Sequence, residues 1–152
     1  SVPNLGRPDE NHVYFDPGDG RLLTVFTNES RTDAGRPAPR DIGCVEHIAF
    51  NVSRATFTQA PARLTERGIA FIQRDRGFMD SIYLQDPNGL KVELACYKFQ
   101  TPEGFRDADV LILAHRLRVA RNDHHIDDTH VADAIEQLMS TRDRLPESPV
   151  AG

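Results

Sequence analysis

Between Asp75 and Cys96 the sequence reads DRGFMDSIYLQDPNGLKVELAC, two runs of alternating apolar and polar residues separated by Asp86, Pro87, Asn88 and Gly89. That tetrad is a turn signal. Proline presets φ, Asn-Gly accepts positive φ, and the flanking alternation has the period of two that a half-buried strand requires. A β-hairpin is expected, with strands over 79–85 and 90–97. Successive strand residues point to opposite faces, so Ile82, Leu84, Val92 and Leu94 form one face and Ser81, Tyr83, Lys91, Glu93 and Ala95 the other. Glutamate in mid-strand is disfavoured by propensity and costly to bury unpaired. Glu93 therefore calls for a partner.

Upstream, CVEHIAFNV (44–52) reads as another strand. Ile48 and Phe50 form its apolar face, with Val45, His47, Ala49 and Asn51 opposite. If the apolar faces pack on a helix, His47, Tyr83 and Glu93 look into one cavity. A lone strand histidine is ordinarily structural, but His47 lies in an apolar run and shares a face with a carboxylate, and the two residue types together are metal donors. The covering helix is expected over about 55–67. Ser53 is its N-cap, Phe57, Ala60 and Leu64 fall at helical spacing, and Gly68 stops it. Pro61 is expected to kink or shorten this helix. With a strand over 69–74, the order is βαβββ.

The same unit leaves an earlier trace. HVYFDPGDGRLLTVF (12–26) aligns on SIYLQDPNGLKVELA (81–95) without a gap, at an offset of 69 residues from His12 to Ser81. Tyr14 meets Tyr83, Gly20 meets Gly89, and Thr24 stands where Glu93 does. Such a repeat implies two copies of one unit. The first copy lacks its opening strand and helix in this sequence. Residues 29–41, rich in charge, proline and glycine, read as a linker. After Phe99 the period changes to that of helices over 107–121 and 129–139, with stripes of Val110, Leu113, Ala114 and Leu117, then Val131, Ile135 and Leu138. The expected organisation is a partial first unit (1–28), linker (29–41), complete second unit (42–99) and helical extension (100–145). The fold class is α+β, with paired βαβββ units forming a cupped mixed sheet, plus two C-terminal helices expected to pack on the sheet or a partner subunit, or to lid the cavity. His124, His125 and His130 with Asp127 and Asp128 fall in the interhelical turn, where caps are expected.

The βαβββ order with His47 at its first strand and Glu93 at its fourth resembles the vicinal oxygen chelate superfamily, which includes glyoxalase I, extradiol ring-cleaving dioxygenases and the fosfomycin and bleomycin resistance proteins. The segment DRGFMDSIYLQDPNGLKVELA looks most like the hydroquinone-type ring-cleaving dioxygenases, and the resemblance covers roughly residues 11–99. It implies Glu93 and His47 as ligands of Fe(II), with Mn, Zn or Ni as other metals, and Arg76 and Tyr83 on the substrate side, binding or protonating an oxygenated ring. The third ligand in that group is a histidine from the first strand of the first unit. With that strand missing, either the sequence is a fragment, or another group such as His12 substitutes, or the site is lost. His12 lies on the cavity face by parity, although the family places no ligand there.

The activity implied is extradiol-type cleavage of a dihydroxylated aromatic ring by a non-haem iron dioxygenase. A second reading is a glyoxalase-like isomerase or lyase, which would want a glutamate where Thr24 stands. A third is a metal-free module that sequesters a small molecule, as resistance proteins of the superfamily do. The expected partner is a small aromatic or oxygenated substrate, and a homodimer could supply the missing strand.

Composition agrees with an intracellular enzyme domain. A chain of 152 residues suits one globular domain, and a net charge of −5 with pI near 5.6 makes no electrostatic case for nucleic acid or acidic membranes. There is no membrane-length apolar run and no signal-like start, so a cytoplasmic location is expected. Cys44 and Cys96 are expected as buried thiols on the helix-packed face, not as a disulfide.

Overall fold

A computed structural model describes residues 2–3, 6–18, 20–28, 30 and 41–142. In chain order its elements are β1 (Val2–Pro3), β2 (Asn11–Phe15), β3 (Leu23–Thr27), β4 (Ile48–Asn51), α1 (Arg54–Glu66), β5 (Phe71–Asp75), β6 (Met79–Gln85), β7 (Lys91–Tyr97), α2 (Asp107–Arg121) and α3 (Asp128–Arg142). Strands β1, β2 and β3 form one sheet in that order, and β4, β7, β6 and β5 form a mixed sheet in that order. The fold is α+β, and β4-α1-β5-β6-β7 is a βαβββ unit. The expected linker over 29–41 lies outside the described residues apart from Ser30 and Asp41. No helix among the described residues is long and apolar enough to cross a membrane.

The chain divides into two compact units, Ser1–Phe50 with Leu84–Glu93, and Asn51–Tyr83 with Leu94–Gly152. In the first, β2 and β3 pair antiparallel, with His12 opposite Phe26 and Tyr14 opposite Thr24. The turns of this hairpin and of the β6–β7 hairpin close alike. Asp16 Oδ1 accepts from the backbone N–H groups of Gly18 (2.7 Å) and Gly20 (3.3 Å), and Asp86 Oδ1 from those of Asn88 (2.9 Å) and Leu90 (2.7 Å). Gly20 and Gly89, matched in the sequence repeat, both sit at positive φ, 77° and 83°. Only glycine enters that region without steric cost.

In the second unit α1 begins at its expected cap, the Ser53 hydroxyl accepting from Thr56 N–H at 3.1 Å. It ends in a Schellman arrangement, with Gly68 at φ 65°, Gly68 N–H donating to Thr65 O at 3.0 Å and Ile69 N–H to Leu64 O at 2.9 Å. Pro61 does not shorten it. Two good caps and the burial of Phe57 and Ala60 outweigh the one hydrogen bond that proline cannot donate.

The strand expected over 44–52 is shorter than its alternation suggested. Residues 41–44 turn, Cys44 N–H donating to Asp41 O at 3.0 Å, and β4 begins only at Ile48. Cys44 is consequently exposed, contrary to expectation, while Cys96 is buried, and both thiols are free. Likewise β5 starts at Phe71, because Ile69 is still engaged in closing α1.

Helices α2 and α3 pack on each other. Val110 and Ala114 meet Val131 and Ala134 in a buried cluster, joined by Phe78, Phe99, Leu113, Leu117, Ile126, Ile135 and Leu138. Phe78 immediately precedes β6 and Phe99 follows β7, so the helical pair braces these strand ends through apolar contact. Ile82 of β6 is wholly buried. Ile82→Ala is expected to destabilise the protein by about 2–5 kcal/mol, the range for deleting a buried aliphatic chain. Urea unfolding should show a lowered midpoint at constant slope.

Candidate functional site

Glu93, the third residue of β7, has a side chain only 3% exposed, and its Oε2 lies 2.8 Å from Nε2 of His47. Its second oxygen, Oε1, is buried with no hydrogen-bond partner among the described residues. A buried carboxylate with one oxygen unmatched is costly. The opposite edge of the imidazole is also occupied, His47 Nδ1 lying 2.5 Å from Glu46 Oε2, and Glu46 Oε1 meets Lys91 Nζ. Lys91, and after it His47, hold the Glu46 carboxyl below its ordinary value through these hydrogen bonds. The first unit thus carries a continuous line of Lys91, Glu46, His47 and Glu93.

Glu46 is absent from the sequence expectations. Alternation counted from residue 44 put it on the apolar face, but with β4 starting at Ile48 both Glu46 and His47 precede the strand and escape its parity. The signal was present in the anomaly of a carboxylate at an apolar register position.

An imidazole nitrogen and a carboxylate oxygen converging at 2.8 Å, with a second carboxylate oxygen buried and unmatched, suit a divalent cation of the Fe, Mn, Ni or Zn type. His47 and Glu93 therefore fit as two of its ligands. The structure does not bring His12 to them. Its ring packs beside Phe26, with centroids 4.8 Å apart, and Tyr14, at 6.0 Å. Among the described residues there is no cluster of three or more His, Cys, Asp or Glu able to hold a metal ion.

In the second unit the structure pairs Arg76 with Tyr83, the guanidinium carbon 5.8 Å from the ring centroid, a cation–π distance. Arg76 sits on the β5–β6 turn, which is well fastened. Asp75 Oδ1 accepts from Gly77 N–H at 2.8 Å, and Arg76 N–H donates to Met79 O at 2.8 Å. Lys98 Nζ reaches Asp75 at 2.6 Å and Asp80 at 3.3 Å, and Arg54 reaches Asp80 at 2.6 Å. Ser81, two residues before Tyr83 and on the same strand face, is wholly buried, and its hydroxyl has no hydrogen-bond partner among the described residues.

Of the histidines that follow α2, His130 serves α3. His130 is 1% exposed; its Nδ1 accepts from Asp127 N–H at 3.1 Å, while Asp127 Oδ1 accepts from His130 N–H at 3.1 Å. This is a reciprocal cap with histidine where glutamate is usual. Nδ1 also lies 2.7 Å from Asp127 Oδ1, and Nε2 lies 3.0 Å from Asp123 Oδ2. His124 and His125 are exposed, their ring centroids 6.3 Å apart.

No protein-family model and no curated protein matches the chain. Among solved structures it is similar to a glyoxalase/dioxygenase from Nostoc punctiforme, with 22% identity and a TM-score of 0.46 over 57% of this chain and 60% of that one. It is also similar to a protein assigned as a dioxygenase from Bacillus subtilis subsp. subtilis str. 168, with 20% identity and a TM-score of 0.47 over 62% of this chain and 30% of that one. A third, assigned to the glyoxalase family and from Bacillus anthracis, has 23% identity and a TM-score of 0.40 over 58% of this chain and 63% of that one. The chain spans less than two thirds of each of these proteins.

The cap generates a pH prediction. The backbone N–H of His130 is the first cause holding the Asp127 carboxyl below its ordinary value. A depressed carboxyl stabilises the fold above the unfolded value of about 3.9, and that contribution is lost as pH falls through the folded value. Asp127→Asn should melt below the wild type near neutral pH, with the gap closing as pH falls below about 4. A gap unchanged in acid contradicts the assignment.

Proposed function

We propose that His47 and Glu93 are the imidazole and carboxylate ligands of a divalent metal, Fe(II) in the leading reading, and that the reaction is extradiol-type cleavage of a dihydroxylated aromatic ring. The observation that carries the proposal is the contact of Glu93 with His47 Nε2 at 2.8 Å, beside a buried carboxylate oxygen that has no hydrogen-bond partner among the described residues. Fe(II) would supply a Lewis-acid centre with positions open to the substrate oxygens and to dioxygen. Glu93 provides the anionic donor and His47 the neutral one. Tyr83 and Arg76 keep the roles that the sequence resemblance implies: the phenol moves a proton at a ring oxygen, and the guanidinium offsets negative charge on the ionised substrate.

Metal analysis tests the ligand assignment. His47→Ala and Glu93→Ala should each reduce bound metal to background, whereas His124→Ala and His130→Ala should retain it. Metal retained in Glu93→Ala refutes the assignment. Oxygen uptake with a panel of hydroquinones and catechols, under anaerobically supplied Fe(II), tests the reaction. Metal-dependent conversion of a hemithioacetal without oxygen uptake would point to a glyoxalase-type isomerase, and tight ligand binding with neither activity to a sequestering module.

Tyr83→Phe separates chemistry from ligation. Turnover is expected to fall by about 10²–10⁴, the usual contribution of a positioned acid or base, with metal content unchanged. A loss of metal, or no loss of turnover, removes Tyr83 from the proton-transfer role.

A further inference from the structure

We infer that Glu46 is a positioning residue for His47, and that Lys91 holds Glu46 in place, so that β7 grips both edges of one imidazole. This rests on the metal-ligand reading of His47 and Glu93. His47 stands ahead of β4, and its side chain is 34% exposed. Two side-chain contacts hold the ring: Nε2 faces Glu93 at 2.8 Å, and Nδ1 faces Glu46 at 2.5 Å.

The two contacts have different chemical consequences. A carboxylate accepting from Nδ1–H defines which nitrogen carries the proton, leaves the Nε2 lone pair for a cation, and opposes the ring flip that would exchange the two nitrogens. Glu46 is itself half-exposed and on a flexible stem, and would hold nothing unless held. Its other oxygen meets Lys91 Nζ. Lys91 and Glu93 are two residues apart on β7 and share a strand face. One short piece of strand thus presents the ligand directly to Nε2 and, through Lys91 and Glu46, fixes the Nδ1 edge. A plain surface ion pair between Lys91 and Glu46 would carry no such coupling.

Two readouts on Glu46→Ala, Glu46→Gln and Lys91→Met test this. The first needs no metal: ¹⁵N shifts of the His47 ring at about pH 9, well above the ordinary histidine value. In a Glu93→Ala background, where no carboxylate competes for the Nε2 proton, the parent and its Glu46→Gln variant, whose amide oxygen still accepts, should show the Nδ1–H tautomer, and its Glu46→Ala variant a mixture. The second is Co(II) titration followed by its ligand-field spectrum. Glu46→Ala should weaken binding roughly 10-fold, the lower end for loss of such an outer carboxylate because Glu46 is half-exposed. Glu46→Gln should recover most of the loss, and Lys91→Met should cost less than about fivefold.

Unchanged ring shifts and unchanged affinity on Glu46→Ala overturn the inference, as does a mixed tautomer in the Glu93→Ala parent. A wild type that binds no Co(II) overturns the metal reading, and the ring shifts then decide the Glu46 hold by themselves.

Discussion

Glu93 brings a carboxylate to a place where water reaches 3% of its side chain, and among the described residues one imidazole answers it. Removing a carboxylate from water costs several kcal/mol even after relaxation, and one hydrogen-bonded partner at one of two oxygens recovers only part of that. An apolar residue at this strand position would be the cheaper choice for stability alone. The local chain is organised around the charge nonetheless. The Asp86–Gly89 turn sets the start of β7, which places Lys91 and Glu93 on one face, and the turn over 41–44 delivers Glu46 and His47 at the mouth of β4. At the corresponding position of the earlier hairpin stands Thr24, opposite Tyr14, with no charge to match. The two matched hairpins thus differ at the position of the buried carboxylate.

Much of this was legible because the signals are local. The β6–β7 hairpin, α1 with its Ser53 cap and Gly68 stop, and the ranges of α2 and α3 follow from period, turn chemistry and caps confined to a few residues. Pro61 shows the limit of a local rule, since its penalty is real but smaller than the capping and burial of the helix that contains it. The start of β4 shows another limit. Alternation continues back through Glu46 to Cys44, yet Gly43 at φ 90° and the turn before it end the strand at Ile48. That single difference misplaced Cys44 and concealed Glu46. The contact of Lys91 with Glu46 joins residues 45 apart in the chain, and no window of sequence contains it.

The helical extension has a structural logic of its own. Its apolar stripes pack on each other and on Phe78 and Phe99, which flank β6, the strand carrying Ser81 and Tyr83, and β7. Of the histidines and aspartates at its turn, where caps are expected, Asp127 and His130 cap α3. There His130 is buried with both ring nitrogens within hydrogen-bond distance of Asp127 and Asp123. Two histidine–carboxylate constellations in one chain thus differ by what remains unsatisfied. At His130 both ring nitrogens are engaged within the helix cap, whereas at Glu93 a buried oxygen is left over.

The central claim is that this leftover oxygen and His47 Nε2 belong to a metal. The direct measurement is an anomalous difference map from crystals grown with Mn(II) or Fe(II). The account predicts a peak about 2.0–2.3 Å from both His47 Nε2 and a carboxylate oxygen of Glu93. A map without a peak there, with the Glu93–His47 hydrogen bond intact and metal bound elsewhere, would contradict it.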